Sequence, residues 1–136
     1  MADRTRFIRP DATETVELDW GTLKWLHKPE TTGIDTFSSG VVVLEPGNGH
    51  ECHTHPESDE LLYVLSGTGE QMIGDETQTV EPGMMVSIPA GVEHSTLNTG
   101  WEPLRFIAVY GPAGPESTIQ EADNATIHPP GTFPED

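Results

Sequence analysis

The sequence predicts an all-β fold, a sandwich or barrel built from short strands. Two observations carry this. Ten segments of four to nine residues, rich in Val, Ile, Leu and aromatics, follow one another with no helical stripe of convincing length. Fourteen glycines and twelve prolines fall largely between them, where turns belong.

The candidate strands are VELDW (16–20), TLKWL (22–26), FSSGVVVLE (37–45), CHTH (52–55), LLYVLS (61–66), EQMI (70–73), TQTV (77–80), MVSIP (85–89), HSTLN (94–98) and LRFIAVY (104–110). EPGNG, HPESD, GDE, EPG, PAG and NTGWEP supply turns between successive strands of this series. After Tyr110 the chain changes character. A Pro- and acid-rich tail (113–136) carries one short helical stretch near 116–122 and otherwise wraps the surface. With 136 residues the chain suits one domain and one core.

Six Lys and Arg face 23 Asp and Glu, a formal net charge of −17. Such a chain repels nucleic acid and anionic membranes, so neither is an expected partner. It also repels itself, and at ~1 M salt, where the screening length is about 3 Å, most of that repulsion vanishes. Composition therefore points to a salt-adapted, halophilic protein; an acidic protein without salt adaptation is the plainer alternative. No apolar run reaches membrane-span length, and the N-terminal residues lack the apolar core of a signal peptide. With one cysteine, Cys52, there is no intrachain disulfide. A cytoplasmic location is the expectation.

Chemistry concentrates in two blocks. In the first, G47-NGHEC-H53-T-H55-PESD-E60-LLYVLS-G67, strand alternation points His53 and His55 the same way, and Glu60 opens the returning strand. Two imidazoles and a carboxylate on one point suit a first-row transition metal. In the second, G83-MMVSI-P89-A-G91-VE-H94-STL-N98, a bend at Pro89–Gly91 is followed by His94, placed to project a third imidazole inward. Scattered solvated histidines are the ordinary reading of each residue alone; the spacing argues against it, because a buried cluster of this kind without a metal lacks partners.

The two blocks resemble the two signature motifs of the cupin superfamily, with every motif position filled. The resemblance covers roughly residues 37–112 and implies an antiparallel double-stranded β-helix, or jelly-roll barrel, with extra N-terminal strands and the irregular tail. It implies a divalent metal, Fe, Mn, Ni, Cu or Zn, on His53, His55, Glu60 and His94, and a homodimer to which residues 16–26 contribute. Many relatives carry Asp where this chain has Met84, which bears on the polarity of that turn and not on the ligands.

Beside the ligands, Glu51 shares a strand face with His53 and His55, so Glu60 and Glu51 are the candidate acid–base carboxylates, with a solvated rim carboxylate as the plainer reading of Glu51. Leu62 and Val64 follow Glu60 inward, and with Met72 and Phe106 they are the expected pocket wall; Met84 and Met85 are weaker candidates. Leu61, Tyr63 and Leu65 face out yet are apolar, as in a barrel wall backed by another sheet or subunit. Arg105 is a surface residue or a guide for an anion. His50 is expected to face away from His53, and Cys52 away from the metal. His27 and His128 read as solvated. The expected function is a metal-dependent oxidoreductase, dioxygenase-like, acting on a small oxygenated molecule. The alternatives are a metal-dependent isomerase, lyase or decarboxylase, and a non-catalytic binding, storage or sensor protein.

Overall fold

The computed structural model describes residues 5–120 and 122–132; the end of the expected tail and Glu121 of the expected helix lie outside them. Among the described residues the strands are β1 (Thr15–Leu18), β2 (Gly21–His27), β3 (Ser38–Leu44), β4 (Gly49–His53), β5 (Asp59–Ser66), β6 (Gly69–Ile73), β7 (Glu76–Val80), β8 (Met85–Ile88), β9 (His94–Leu97), β10 (Leu104–Gly111) and β11 (Thr126–His128). Helices α1 (Pro29–Thr32) and α2 (Pro115–Gln120) join them. All described pairings are antiparallel and form two sheets, β11-β1-β2-β3-β10-β5-β8 and β4-β9-β6-β7. The fold is the jelly roll, with the metal-site candidates held between the two sheets.

Alternation builds the core. In β5, Glu60, Leu62 and Val64 are buried while Asp59, Leu61, Tyr63 and Leu65 are exposed. In β10, Leu104, Phe106, Ala108 and Tyr110 point inward and Arg105 outward. Each fully buried Leu, Val or Phe contributes about 1.5–3 kcal/mol by leaving water, so a one-residue slip of either strand would expose the whole inner set. Of the two covers expected for the outer face of β5, another sheet or another subunit, the described residues supply no sheet. Leu61, Tyr63 and Leu65 keep 38, 39 and 38 % of their surface, with no covering sheet from this chain among the described residues. In residues 16–26 Val16, Leu18, Leu23 and Trp25 belong to the core, while the alternate side chains Glu17, Lys24 and Leu26 are half-buried.

The second motif's last residue, Asn98, is a pin. It is 1 % exposed, and its Nδ2 donates to the carbonyls of Leu44 and Glu102 while Oδ1 accepts from the Gly100 N–H. Gly67 has φ 84°, and a Cβ there would sit 2.4 Å from the Pro103 carbonyl oxygen, so the motif needs glycine for both conformation and space. Where relatives carry Asp, Met84 turns its Sδ to accept from the Glu81 N–H at 3.3 Å, so a thioether does the turn-closing work.

Candidate metal centre

Each ligand is placed by a local feature. Glu60 is the second residue of β5, directly opposite Tyr110 of β10 and Ile88 of β8. His94 opens β9 opposite His53 at the end of β4. The Pro89–Val92 bend that delivers His94 is closed by Val92 N–H to the Pro89 carbonyl. It is tied to the first motif twice: Gly91 N–H donates to the His55 carbonyl at 3.1 Å, and Ala90 N–H to Asp59 Oδ1 at 2.9 Å. Gly91 has φ 83°, which only glycine adopts without strain.

The side chains converge as expected. One donor atom from each of His53, His55, Glu60 and His94 lies within 4.8 Å of all the others. His94 Nε2 is 3.0 Å and His55 Nε2 3.6 Å from Glu60 Oε1. Glu60 and His94 are 5 and 2 % exposed; His53 and His55 are half-buried. His53 Nδ1 donates to the Glu51 carbonyl at 2.6 Å, and His94 Nδ1 to the Val92 carbonyl at 2.9 Å. These bonds put the proton on Nδ1 and leave Nε2 as a bare lone pair.

That assignment decides whether the residues fit a metal. A neutral His94 presents a lone pair to a carboxylate oxygen 3.0 Å away, two acceptors in repulsion. His55 Nε2, Glu60 Oε1 and His94 Nε2 are buried and have no hydrogen-bond partner of good geometry. Something positive belongs among them, a proton or a cation, and separations of 3.0 and 3.6 Å suit ligand bonds of about 2.0–2.2 Å. Three imidazoles and one carboxylate fit a divalent transition metal.

The titration behaviour follows from burial and neighbours. Burial disfavours the charged form of all three imidazoles, and His55 is pushed down to about 4 despite the pull of Glu60. His53 is lowered by burial, partly offset by its bond to the Glu51 carbonyl. His94 moves the other way: burial lowers it, but Glu60 and the Val92 carbonyl together outweigh that and raise it. Of the three imidazoles, His94 is thus the one whose protonated form its neighbours favour. Burial, then Glu60, holds the Tyr110 hydroxyl protonated well above its ordinary range.

The sequence reading missed His50. The β4–β9 register shifts between His50 and His53, and this irregularity cancels the alternation that would turn His50 away. His50 instead stacks on Trp20, with ring centroids 4.2 Å apart, and meets His53 at 3.8 Å. Burial, then the neighbouring imidazoles, lowers it to about 3. Two spaces meet here. An inner cavity of about 20 Å³ is lined by His53, Glu60, His94, Phe106 and Tyr110 among others, room for one water at most. An outer cleft of about 600 Å³ reaches His53 and His55 from solvent. Trp20, His50, His53 and Ile119 line both.

Phe106 thus stands in the pocket wall. Leu62 and Val64 point inward but pack in the core without lining either space. Met72 does not join the wall: alternation in β6 buries Gln71, whose Oε1 accepts from the Thr96 hydroxyl, and turns Met72 to the other face. Met84 and Met85 line a separate groove beside Gln71. Glu51 is exposed at the cleft, where its carbonyl holds His53 and its carboxylate stands at the rim. Cys52, exposed, also lines the cleft. Arg105 lies on the outer face of β10, away from the site. His27 stacks on Phe37 and His128 pairs with Glu17 at 2.9 Å, so neither is simply solvated.

Residues 40–110 match the cupin domain family, a span that holds both motifs and all four candidate ligands. The chain belongs to the cupin family. This cupin is 32 % identical over 103 residues to Protein SchB of Streptomyces halstedii, covering 76 % of this chain and 75 % of that one. It is 27 % identical over 121 residues to Polyketide synthase CurC of Streptomyces cyaneus, covering 85 and 79 %. Among solved structures it resembles one of Bacillus subtilis oxalate decarboxylase, described by its Mn(II) centres, with TM-score 0.65 and 26 % identity over 70 % of this cupin and 26 % of that chain. No helix among the described residues is long and apolar enough to cross a membrane.

Proposed function

We propose that this cupin is a metal-dependent enzyme, a dioxygenase-like oxidoreductase acting on a small oxygenated molecule. The observation that carries the reading is the meeting of partnerless buried donor atoms with a cleft large enough for a substrate. His53, His55, Glu60 and His94 would hold the ion, which when bound supplies Lewis-acid polarisation and, for iron, copper or manganese, redox chemistry. The chain's own groups do the rest. The Glu51 and Val92 carbonyls fix two imidazole rings. Glu60 takes a ligand position facing the protonated Tyr110 hydroxyl. Glu51 stands at the rim as the carboxylate able to take a substrate proton. Trp20, Phe106 and Ile119 keep the inner side dry.

Oxygen consumption by iron- or manganese-loaded protein with catechol-type substrates tests the reaction class. Product formation without oxygen uptake would instead favour an isomerase, lyase or decarboxylase, a reading supported by the similarity to oxalate decarboxylase. Ligand-dependent melting with no product would leave a binding protein.

We further propose a cytoplasmic, salt-adapted homodimer. The net charge of −17 supports the salt adaptation, and the exposed row Leu61, Tyr63 and Leu65 supports the dimer. Melting temperature should rise from low salt to ~1 M KCl, and Tyr63→Glu should halve the mass measured by light scattering. A flat salt response, or an unchanged mass, would count against each in turn.

A further inference from the structure

We propose that the cleft selects a substrate that is uncharged in solution and bears neighbouring hydroxyl or enol oxygens, and that it turns away phosphates and carboxylates. This deepens the metal-enzyme reading above and rests on it. Among the described lining residues the charged side chains are Asp19 and Glu51, both exposed carboxylates. The remaining hydrogen-bonding groups include the neutral amides of Asn48 and Asn124 and the hydroxyls of Thr54 and Thr118. Amides and hydroxyls pair well with a substrate's own hydroxyls.

No described cation is placed to receive an anion there. Arg9 is bonded to Asp11, Lys28 is paired with Glu14, and Lys24 donates to the Thr13 carbonyl. Arg105 lies on the outer sheet face, and Arg6 does not line the cleft. Recognition of a phosphate or carboxylate draws on charge-assisted bonds from Arg or Lys, or on clustered N–H groups. The metal alone does not make up the deficit. A divalent ion on one carboxylate and three neutral imidazoles leaves one positive charge, which the two rim carboxylates outweigh. Beyond the rim, the net charge of −17 opposes the approach of any anion.

The test compares catechol with salicylate, two bidentate oxygen ligands of similar size that differ by one negative charge. Mn(II) uptake by the full chain is measured first by calorimetry, and then each ligand is titrated into the loaded protein at 0.15 M and 1 M KCl. Catechol should bind at least about tenfold more tightly at the lower salt, and the gap should narrow at ~1 M KCl as salicylate gains. Replacing the rim charges, Asp19→Lys with Glu51→Lys, should bring the two ligands within about twofold. Salicylate binding as tightly as catechol at the lower salt, or neither ligand binding to loaded protein, would overturn the assignment. Protein that takes up none of Mn(II), Fe(II), Ni(II), Cu(II) and Zn(II) overturns the metal-enzyme reading itself, so the two failures are distinguishable.

Discussion

The four candidate ligands divide into two sides of one site. Glu60 and His94 are almost fully buried and stand in strands paired on both flanks, β5 between β10 and β8, β9 between β4 and β6. His53 and His55 are half-buried at the end of β4 and just beyond it, where the ladder is irregular and the cleft begins. The same donor chemistry therefore does two jobs. The buried side would fix where an ion sits, because its strands are paired on both flanks. The outer side leaves the ion accessible, because its imidazoles border solvent-filled space.

The sharpest way to break this comparison is to delete one imidazole from each side. His94→Ala should lower metal affinity more than ~100-fold, beyond the 10- to 100-fold cost of disturbing an outer partner of a ligand. His53→Ala should lose affinity as well, but added imidazole should restore much of it through the cleft. Equal rescue of the two variants, read by metal titration, would erase the distinction between the sides.

The buried side also leans on Asn98, which the second motif contributes without touching the metal. Asn98→Ala removes three hydrogen bonds, one of them fully buried, and should cost about 3 kcal/mol in urea unfolding. Gly91→Ala forces a side chain into the left-handed region at the bend joining the two motifs, and should cost about 1–2 kcal/mol. Its metal affinity should fall too, since the bend aims His94. A loss of stability with unchanged affinity would show that the bend is not what positions the ligand.

A pH-dependent effect lies on the outer side. His50 is held neutral, with a folded pKa of about 3 against 6.5. A depressed histidine contributes stability above its unfolded pKa and loses it as pH falls toward the folded value. Metal-free protein should therefore lose part of its stability between about pH 6.5 and 3. His50→Phe, which keeps a ring on Trp20 and cannot titrate, should flatten that slope. His94 contributes in the opposite direction: its raised pKa stabilises metal-free protein at low pH, and that contribution fades as pH climbs past 6.5. Metal uptake should accordingly release more of a proton as pH is lowered, detectable as buffer-dependent heat.

The same division explains what the sequence made legible. The ligands were readable because motif spacing records contacts that local periodicity cannot, and the turn chemistry around Gly67 and Gly91 is written in residue types. Strands such as β5 and β10 were readable because alternation survives in them. His50 was not, since one irregularity in β4 reverses its face and has no signature in residue type. Met72 failed by parity, with Gln71 on the inner face held by Thr96. The strand Thr126–His128 escaped notice because three residues beside prolines acquire strand geometry only by pairing with β1. Trp20 and Ile119 come to the cleft from opposite ends of the chain, a placement no local pattern encodes.

The central claim is that His53, His55, Glu60 and His94 bind one divalent transition metal. Elemental analysis of protein purified without chelator or histidine tag tests it most directly, with His94→Ala alongside as a folded control checked by circular dichroism. About one metal per chain is predicted for the native sequence and close to none for the variant. A native protein that stays metal-free after incubation with Mn, Fe, Ni, Cu and Zn, or a variant that retains a full equivalent, would contradict it.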